Sequence, residues 1–402
     1  MKTNRREFIK SSALASASVL VPGFLKSAAK NFSPKGYNGK SLVIIQLSGG
    51  NDGLNCLVPF RNDFYYESRP DIGLGEEDLI GITDHAAFNK NLEVLAQLFD
   101  GGNLSVINNV GYPNPNRSHF RSMDIWHSAS DADKYVQSGW LGRYLDSTCS
   151  PGCSKPHLAL EIDETLSLAL KGENLKGLAF RSPETLHLLS SNPLLMKEGE
   201  NNVSQNSMHP QVDYLHKTLA ETTQSAEYIY QHSKIYKSKS AYPNHDFGKR
   251  MKLIAELIIS NSETSVYYVS LAGFDTHVFQ KGTQNRLLKV YSDAIKSFCN
   301  DLKSNNRFND TLIMTFSEFG RRVKQNSSRG TDHGTANNIY VIGGKLSKPG
   351  MYNDLPDLKK LDNGDLIYNI DFRNVYATVL QKWLEINPDF ILKKKFDALS
   401  FI

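Results

Sequence analysis

Ser41-Leu-Val-Ile-Ile-Gln-Leu47 is a continuous apolar run of strand length that empties into Ser48-Gly-Gly-Asn-Asp-Gly53. A strand without polar alternation is buried on both faces, which points to a parallel sheet covered by helices. The chain downstream agrees. Asn91–Phe99 has helical spacing (Leu92, Val94, Leu95, Leu98) and stops at Gly101-Gly102, and Leu104–Val110 is a second strand. It runs into the irregular loop Gly111-Tyr-Pro-Asn-Pro-Asn-Arg117, after which Ser118 opens a helix through His127. Thr264–Leu271 and Asp310–Phe316 are further strands. Between them Gln284–Leu302 carries the sustained apolar face of a helix. Asp246 is placed to cap a helix running to Ser260, Asn338–Gly344 is a short strand, and Asp371–Ile386 a closing helix. Strand and helix alternating in this way predict an α/β fold, with a mostly parallel central sheet and helices on both faces.

The middle third is more polar. His157–Ile162 alternates as a strand, 190–212 is rich in Asn and Ser, and Tyr214–Tyr236 is a long helix. The span 165–245 therefore reads as a helical insertion over one domain of residues 30–402. His187, His216 and His232 fall on this block and are expected to face solvent.

The 402 residues hold 46 Lys and Arg against 42 Asp and Glu, and the excess has an address. Residues 1–29 carry Lys2, Arg5, Arg6, Lys10 and Lys26 with only Glu7 opposed, so the rest of the chain is formally neutral. A neutral body offers no cationic field for nucleic acid. Arg5-Arg6-Glu-Phe-Ile-Lys10, followed by the weakly apolar Ser11–Leu25, reads as a twin-arginine export leader over residues 1–29. It is either cleaved after Ser27-Ala28-Ala29 or kept as an anchor. The expected location is the periplasm or extracytoplasmic envelope, with the Tat translocase as a partner during export and no further membrane span. Cys149 and Cys153 flank a Pro-Gly turn as either a small disulfide loop or two free thiols. Cys56 and Cys299 read as buried apolar residues.

In an open parallel sheet, ligands bind beyond the carboxyl ends of the strands. That rule gathers Asp52, Ser118, Asp275, His277, Glu318, Asp332 and His333 at one rim. Carboxylates with imidazoles suit a divalent cation such as zinc, manganese or calcium. Ser118 is open to two readings: a helix N-cap, or a hydroxyl nucleophile where the helix terminus favours an anion. Arg117 beside it has the forked donors that phosphate or sulfate oxygens accept. Nothing matches a P-loop, a dinucleotide turn or a Gly-x-Ser-x-Gly elbow.

Leu47-Ser-Gly-Gly-Asn-Asp-Gly-Leu-Asn55, Gly111-Tyr-Pro-Asn-Pro-Asn-Arg-Ser-His119, Gly273-Phe-Asp-Thr-His277, Ser317-Glu-Phe-Gly-Arg321, Gly330-Thr-Asp-His-Gly-Thr-Ala-Asn337 and Asp371-Phe-Arg-Asn-Val-Tyr376 together resemble one family of exported bacterial proteins, the domain of unknown function 1501. That family in turn is similar to a remote branch of the alkaline phosphatase and sulfatase superfamily. The resemblance implies an alkaline-phosphatase-like three-layer sandwich that hydrolyses phosphate or sulfate esters, of small molecules or glycans, at a metal site. It also implies roles: Asp52, Asp275, His277, Glu318 and His333 as metal ligands, Asp332 as a substitute ligand, Ser118 as nucleophile and Arg117 as oxyanion support. Phe319 stands where the superfamily has a histidine, and Asp275 and His277 are two apart instead of four. These departures imply one metal in place of two. They also leave the alternative of a non-catalytic envelope binding protein on the same fold.

Overall fold

The computed structural model describes residues 38–148, 155–191 and 210–402. The twin-arginine segment, Cys149 and Cys153, and most of the polar stretch 190–212 lie outside the described residues. Among those residues nine strands form the central sheet: β1 (Ser41–Ser48), β2 (Leu104–Gly111), β3 (Ala159–Glu161), β4 (Leu178–Ala179), β5 (Val266–Ala272), β6 (Thr311–Phe316), β7 (Asn337–Ile342), β8 (Gly350–Met351) and β9 (Ile370–Asp371). Their order is β8-β2-β7-β6-β1-β5-β3-β4, with β9 also paired to β2. β1 is central and parallel to both neighbours, Ile44 standing opposite Tyr268 on one side and Met314 on the other. β7 departs from the expected direction. It is antiparallel to β2 and β6, so the sheet is mixed although mostly parallel.

The alternation within β1 explains the layering. Val43, Ile45 and Leu47 enter one core, while Leu42 and Ile44 enter the other. The first core is closed by α1 (Glu93–Asp100), α5 (Asp246–Ile259) and α6 (Gln280–Ser304). The second is closed by α2 (His119–Ser128), α3 (Trp140–Thr148) and α7 (Phe372–Thr378), where Trp126 stacks on Phe316 and Phe372. The result is a three-layer α/β sandwich, as expected.

Several boundaries move for physical reasons. Helix α5 is capped by His245, whose Nδ1 accepts from Gly248 N–H at 2.9 Å, in place of Asp246. The closing helix gives way after Thr378 to a π turn, Val379–Trp383. The long polar helix, α4 (Pro210–Ile235), begins earlier than its spacing suggested. Strand β4 belongs to the central sheet although it falls inside 165–245. His187 stacks on Tyr230 and His232 packs against Tyr228, so neither is simply solvated.

Candidate metal centre

The ends of β1, β5 and β6 are pulled together by one buried arginine. Arg321 Nε donates to Gly50 O (2.6 Å), Nη1 to Thr331 O (2.8 Å), and Nη2 to Gly49 O, Phe274 O and Asp275 Oδ1 (2.5, 3.0 and 2.7 Å). The turn after β1 can approach this closely only because it is glycine. A Cβ on Gly49 would lie 2.4 Å from Asp275 N, and one on Gly50 2.1 Å from the Phe319 ring; both have positive φ.

Around Asp275 Oδ1 stand three imidazoles. His277 Nε2 is at 3.0 Å, His333 Nε2 at 3.1 Å and His119 Nε2 at 3.4 Å. Their other nitrogens are all tied outward to acceptors. His119 Nδ1 meets Glu318 Oε1 at 2.9 Å, His333 Nδ1 meets the Arg117 carbonyl at 2.8 Å, and His277 Nδ1 meets Asp332 Oδ1 at 3.4 Å. A carbonyl or carboxylate only accepts, so a neutral ring that gives its Nδ1 hydrogen to these outer acceptors turns an Nε2 lone pair inward, the tautomer a metal ligand needs. The consequence is sharpest between His277 and His333, whose Nε2 atoms are 2.9 Å apart. A contact that short is met either by a hydrogen on one of the two nitrogens or by a cation that both lone pairs face.

Electrostatics reinforce the set. Burial works to raise the Asp275 carboxyl, but Arg321, His333 and His277 override it and hold it down to about 2. Burial likewise opposes ionisation of Glu318, and His119 with the Gly49 N–H keeps it below its ordinary range. Glu318 in return raises His119, while desolvation lowers His333. Phe319 packs against both rings, at 4.8 Å from His119 and 4.7 Å from His333 between centroids, and forms an apolar wall.

The donor set fits a cation. His119, Asp275 and His333 offer ligand atoms within 4.8 Å of one another, and His119 Nε2 is buried without a hydrogen-bond partner among the described residues. Ligands about 2.0–2.1 Å from a tetrahedral ion are about 3.3 Å from each other, close to the separations around Asp275 Oδ1.

Some sequence expectations are redistributed. Asp275, His277 and His333 meet at the centre, while Glu318 and Asp332 stand behind it, each on the outer nitrogen of a histidine. Asp52 is elsewhere. Its carboxylate is 1% exposed and engaged by Arg69 (2.6 and 3.1 Å), Gln280 Nε2 (2.5 Å) and Leu54 N–H, so no lone pair is left for a metal. Ser118 is the N-cap residue of α2, but its hydroxyl makes no capping bond; Asn116 Oδ1 accepts from Ser118 N–H instead. The Arg117 guanidinium pairs with buried Asp365. His119 had no assigned role, although it stood in the quoted Arg-Ser-His segment; its signal was a histidine in the first turn of a helix starting at the rim. Arg321 closed the Ser317–Arg321 motif without an assigned role, and Arg69 left no signal short of the fold.

A family model described as a protein of unknown function (DUF1501) matches residues 106–389. The chain belongs to the DUF1501 family. No curated protein sequence matches it. Among solved structures, it is similar to the PsFucS1 sulfatase from Pseudoalteromonas sp., at 12% identity and TM-score 0.42, covering 94% of this chain and 75% of that one. It is also similar to the lipoteichoic acid synthase LtaP of Listeria monocytogenes (9%, 0.40, 92% and 77%) and to the phosphonate monoester hydrolase SpPMH of Silicibacter pomeroyi (8%, 0.39, 89% and 77%). Among the described residues of this DUF1501 protein, no helix is long and apolar enough to cross a membrane.

Proposed function

We propose that this DUF1501 protein is a metal-dependent hydrolase of phosphate or sulfate esters, exported by its twin-arginine leader and acting on small-molecule or glycan esters in the envelope. The observation that carries the reading is the pair of inward Nε2 atoms of His277 and His333, 2.9 Å apart and both beside Asp275 Oδ1. His119, Asp275, His277 and His333 would hold the cation, one of zinc, manganese or calcium. The cation, when bound, supplies Lewis-acid polarisation of an ester oxygen.

The chain's own residues supply the rest. Glu318, Asp332 and the Arg117 carbonyl fix the three rings and their tautomers. Ser118 lies between Arg117, whose carbonyl meets His333, and His119, so its backbone is fixed at the edge of the cluster from both sides. It is the candidate nucleophile toward phosphorus or sulfur, at a helix N-terminus where N–H groups favour an anion. Arg117 is held by Asp365 and acts chiefly by positioning that segment.

Metal content and hydrolysis of p-nitrophenyl phosphate and p-nitrophenyl sulfate test the proposal on the full chain. Near-stoichiometric metal that is lost in Asp275→Asn together with activity is the expected result. A chain that takes up no zinc, manganese or calcium would sink it. One observation favours the second reading, a non-catalytic envelope binding protein: Arg321 already neutralises Asp275, and Phe319 fills space beside the rings. A bound metal without turnover of any phosphate or sulfate ester would select that reading.

A further inference from the structure

The far end of α2 opens onto a second, strongly basic cleft. It has a volume of about 260 Å³, below the roughly 300–1,000 Å³ of ordinary ligand pockets, so it suits a small ion better than a polymer. Helix α2 has ten residues, which puts this cleft about 15 Å from the His119 end. Lys134, Arg143, Arg373, Lys393 and Lys394 line it against a single lining carboxylate, Asp131.

That carboxylate is shared three ways. Arg373 Nη1 lies 2.5 Å from it, Lys134 Nζ 3.2 Å and Lys394 Nζ 3.6 Å. Arg373 has a second partner in Asp371, and Lys393 has Glu173, which leaves Lys134 and Lys394 with a third of a carboxylate each. Arg143 has less. Its guanidinium is buried and donates to the carbonyls of Ile391 (2.5 Å), Ser138 (2.5 Å) and Ser128 (2.7 Å) and to Ser138 Oγ (3.3 Å), with no carboxylate at ion-pair distance among the described residues. Burial pushes it down to about 10, against the weaker opposing pull of Glu173 and Asp146. A separate observation points the same way. Ser130 lines the cleft, is more than nine-tenths buried, and its Oγ has no hydrogen-bond partner among the described residues.

We propose that this cleft is an anion site for one phosphate- or sulfate-type oxoanion, bound by Lys134, Lys394 and Arg143 with Ser130 Oγ as a neutral donor. A tetrahedral oxoanion offers further acceptor oxygens to the two lysines and one to the unpartnered Ser130 Oγ, and it adds a negative charge beside buried Arg143 that Asp131 alone does not supply. The site is separate from the metal centre, so it does not rest on the ester-hydrolase reading.

Calorimetric titration of the metal-stripped full chain with inorganic phosphate, at constant ionic strength in chloride, tests it. One equivalent is expected to bind the wild type and Asp275→Asn alike. In Lys134→Gln/Lys394→Gln the affinity is expected to fall at least tenfold. Both lysine side chains are more than half exposed, 66% and 60%, so the melting temperature of that variant without phosphate is expected to stay within about a degree of wild type. The same titration with sulfate distinguishes the two oxoanions. No uptake of either beyond chloride overturns the proposal. So does uptake that disappears in Asp275→Asn and survives in the lysine variant, because that assigns the anion to the histidine cluster.

Discussion

Glu318, Asp52 and Ser118 each end a strand or open a helix at the same rim, yet the fold uses them in three different ways. Glu318 grips His119 from behind, so Glu318→Gln should weaken metal binding 10–100-fold without abolishing it, as read by competition with a chelator. Asp52 instead neutralises Arg69 in the interior. Removing one partner of such a pair strands a buried charge, so Asp52→Asn should cost about 3 kcal/mol in denaturant melts while metal stoichiometry is kept. For Ser118 the unused cap is decisive. An Oγ that caps nothing can be deleted cheaply, so Ser118→Ala should abolish ester turnover while stability changes by less than about 0.5 kcal/mol. Sequence reading found the rim because Asp, Glu and His recur at strand ends. It could not rank them, because ligand and supporting carboxylate differ only in which ring nitrogen they face. That depends on the relative placement of Glu318 and His119, 199 positions apart.

At the scale of elements, the strands were the most legible part of the chain. β1, β2, β5 and β6 are buried almost throughout, and burial on both faces writes itself as mostly apolar sequence, interrupted most in β2 by Ser105, Asn108 and Asn109. β7 is buried in the same way, so its composition carries no sign of its reversed direction. Helix α5 shows a second blind spot. Any of several polar residues before an apolar run can cap, and His245 does so from one position upstream of Asp246. The turn between β1 and Asp52 is the element on which the centre depends most. Gly50→Ala would drive a methyl into Phe319, which itself packs on His119 and His333. That variant should lose about 2–4 kcal/mol of stability from strain and overpacking, with weakened metal binding, measured by thermal melts and metal titration.

Over the whole molecule, titration couples stability to pH through buried histidines outside the metal centre. His127 is enclosed by Gln46 and Tyr268, and desolvation lowers it to about 4. A histidine whose folded value lies below its unfolded one contributes stability above about pH 6.5. That stability is lost as pH falls toward 4 and no further below it. His127→Gln should therefore flatten the dependence of unfolding free energy on pH between 6.5 and 4 by about 1.4 kcal/mol per pH unit, with no change of slope above 7. Topology has a consequence in time as well. β1 lies between β5 and β6, and contacts such as Gln46 with Tyr268 join residues 222 positions apart. A ribosome adding roughly 5–20 residues per second needs on the order of 10–50 seconds to deliver those partners. For that interval this strongly apolar strand emerges with neither of its neighbours yet made, so its nascent chain is a natural client for chaperones that shield hydrophobic segments during translation.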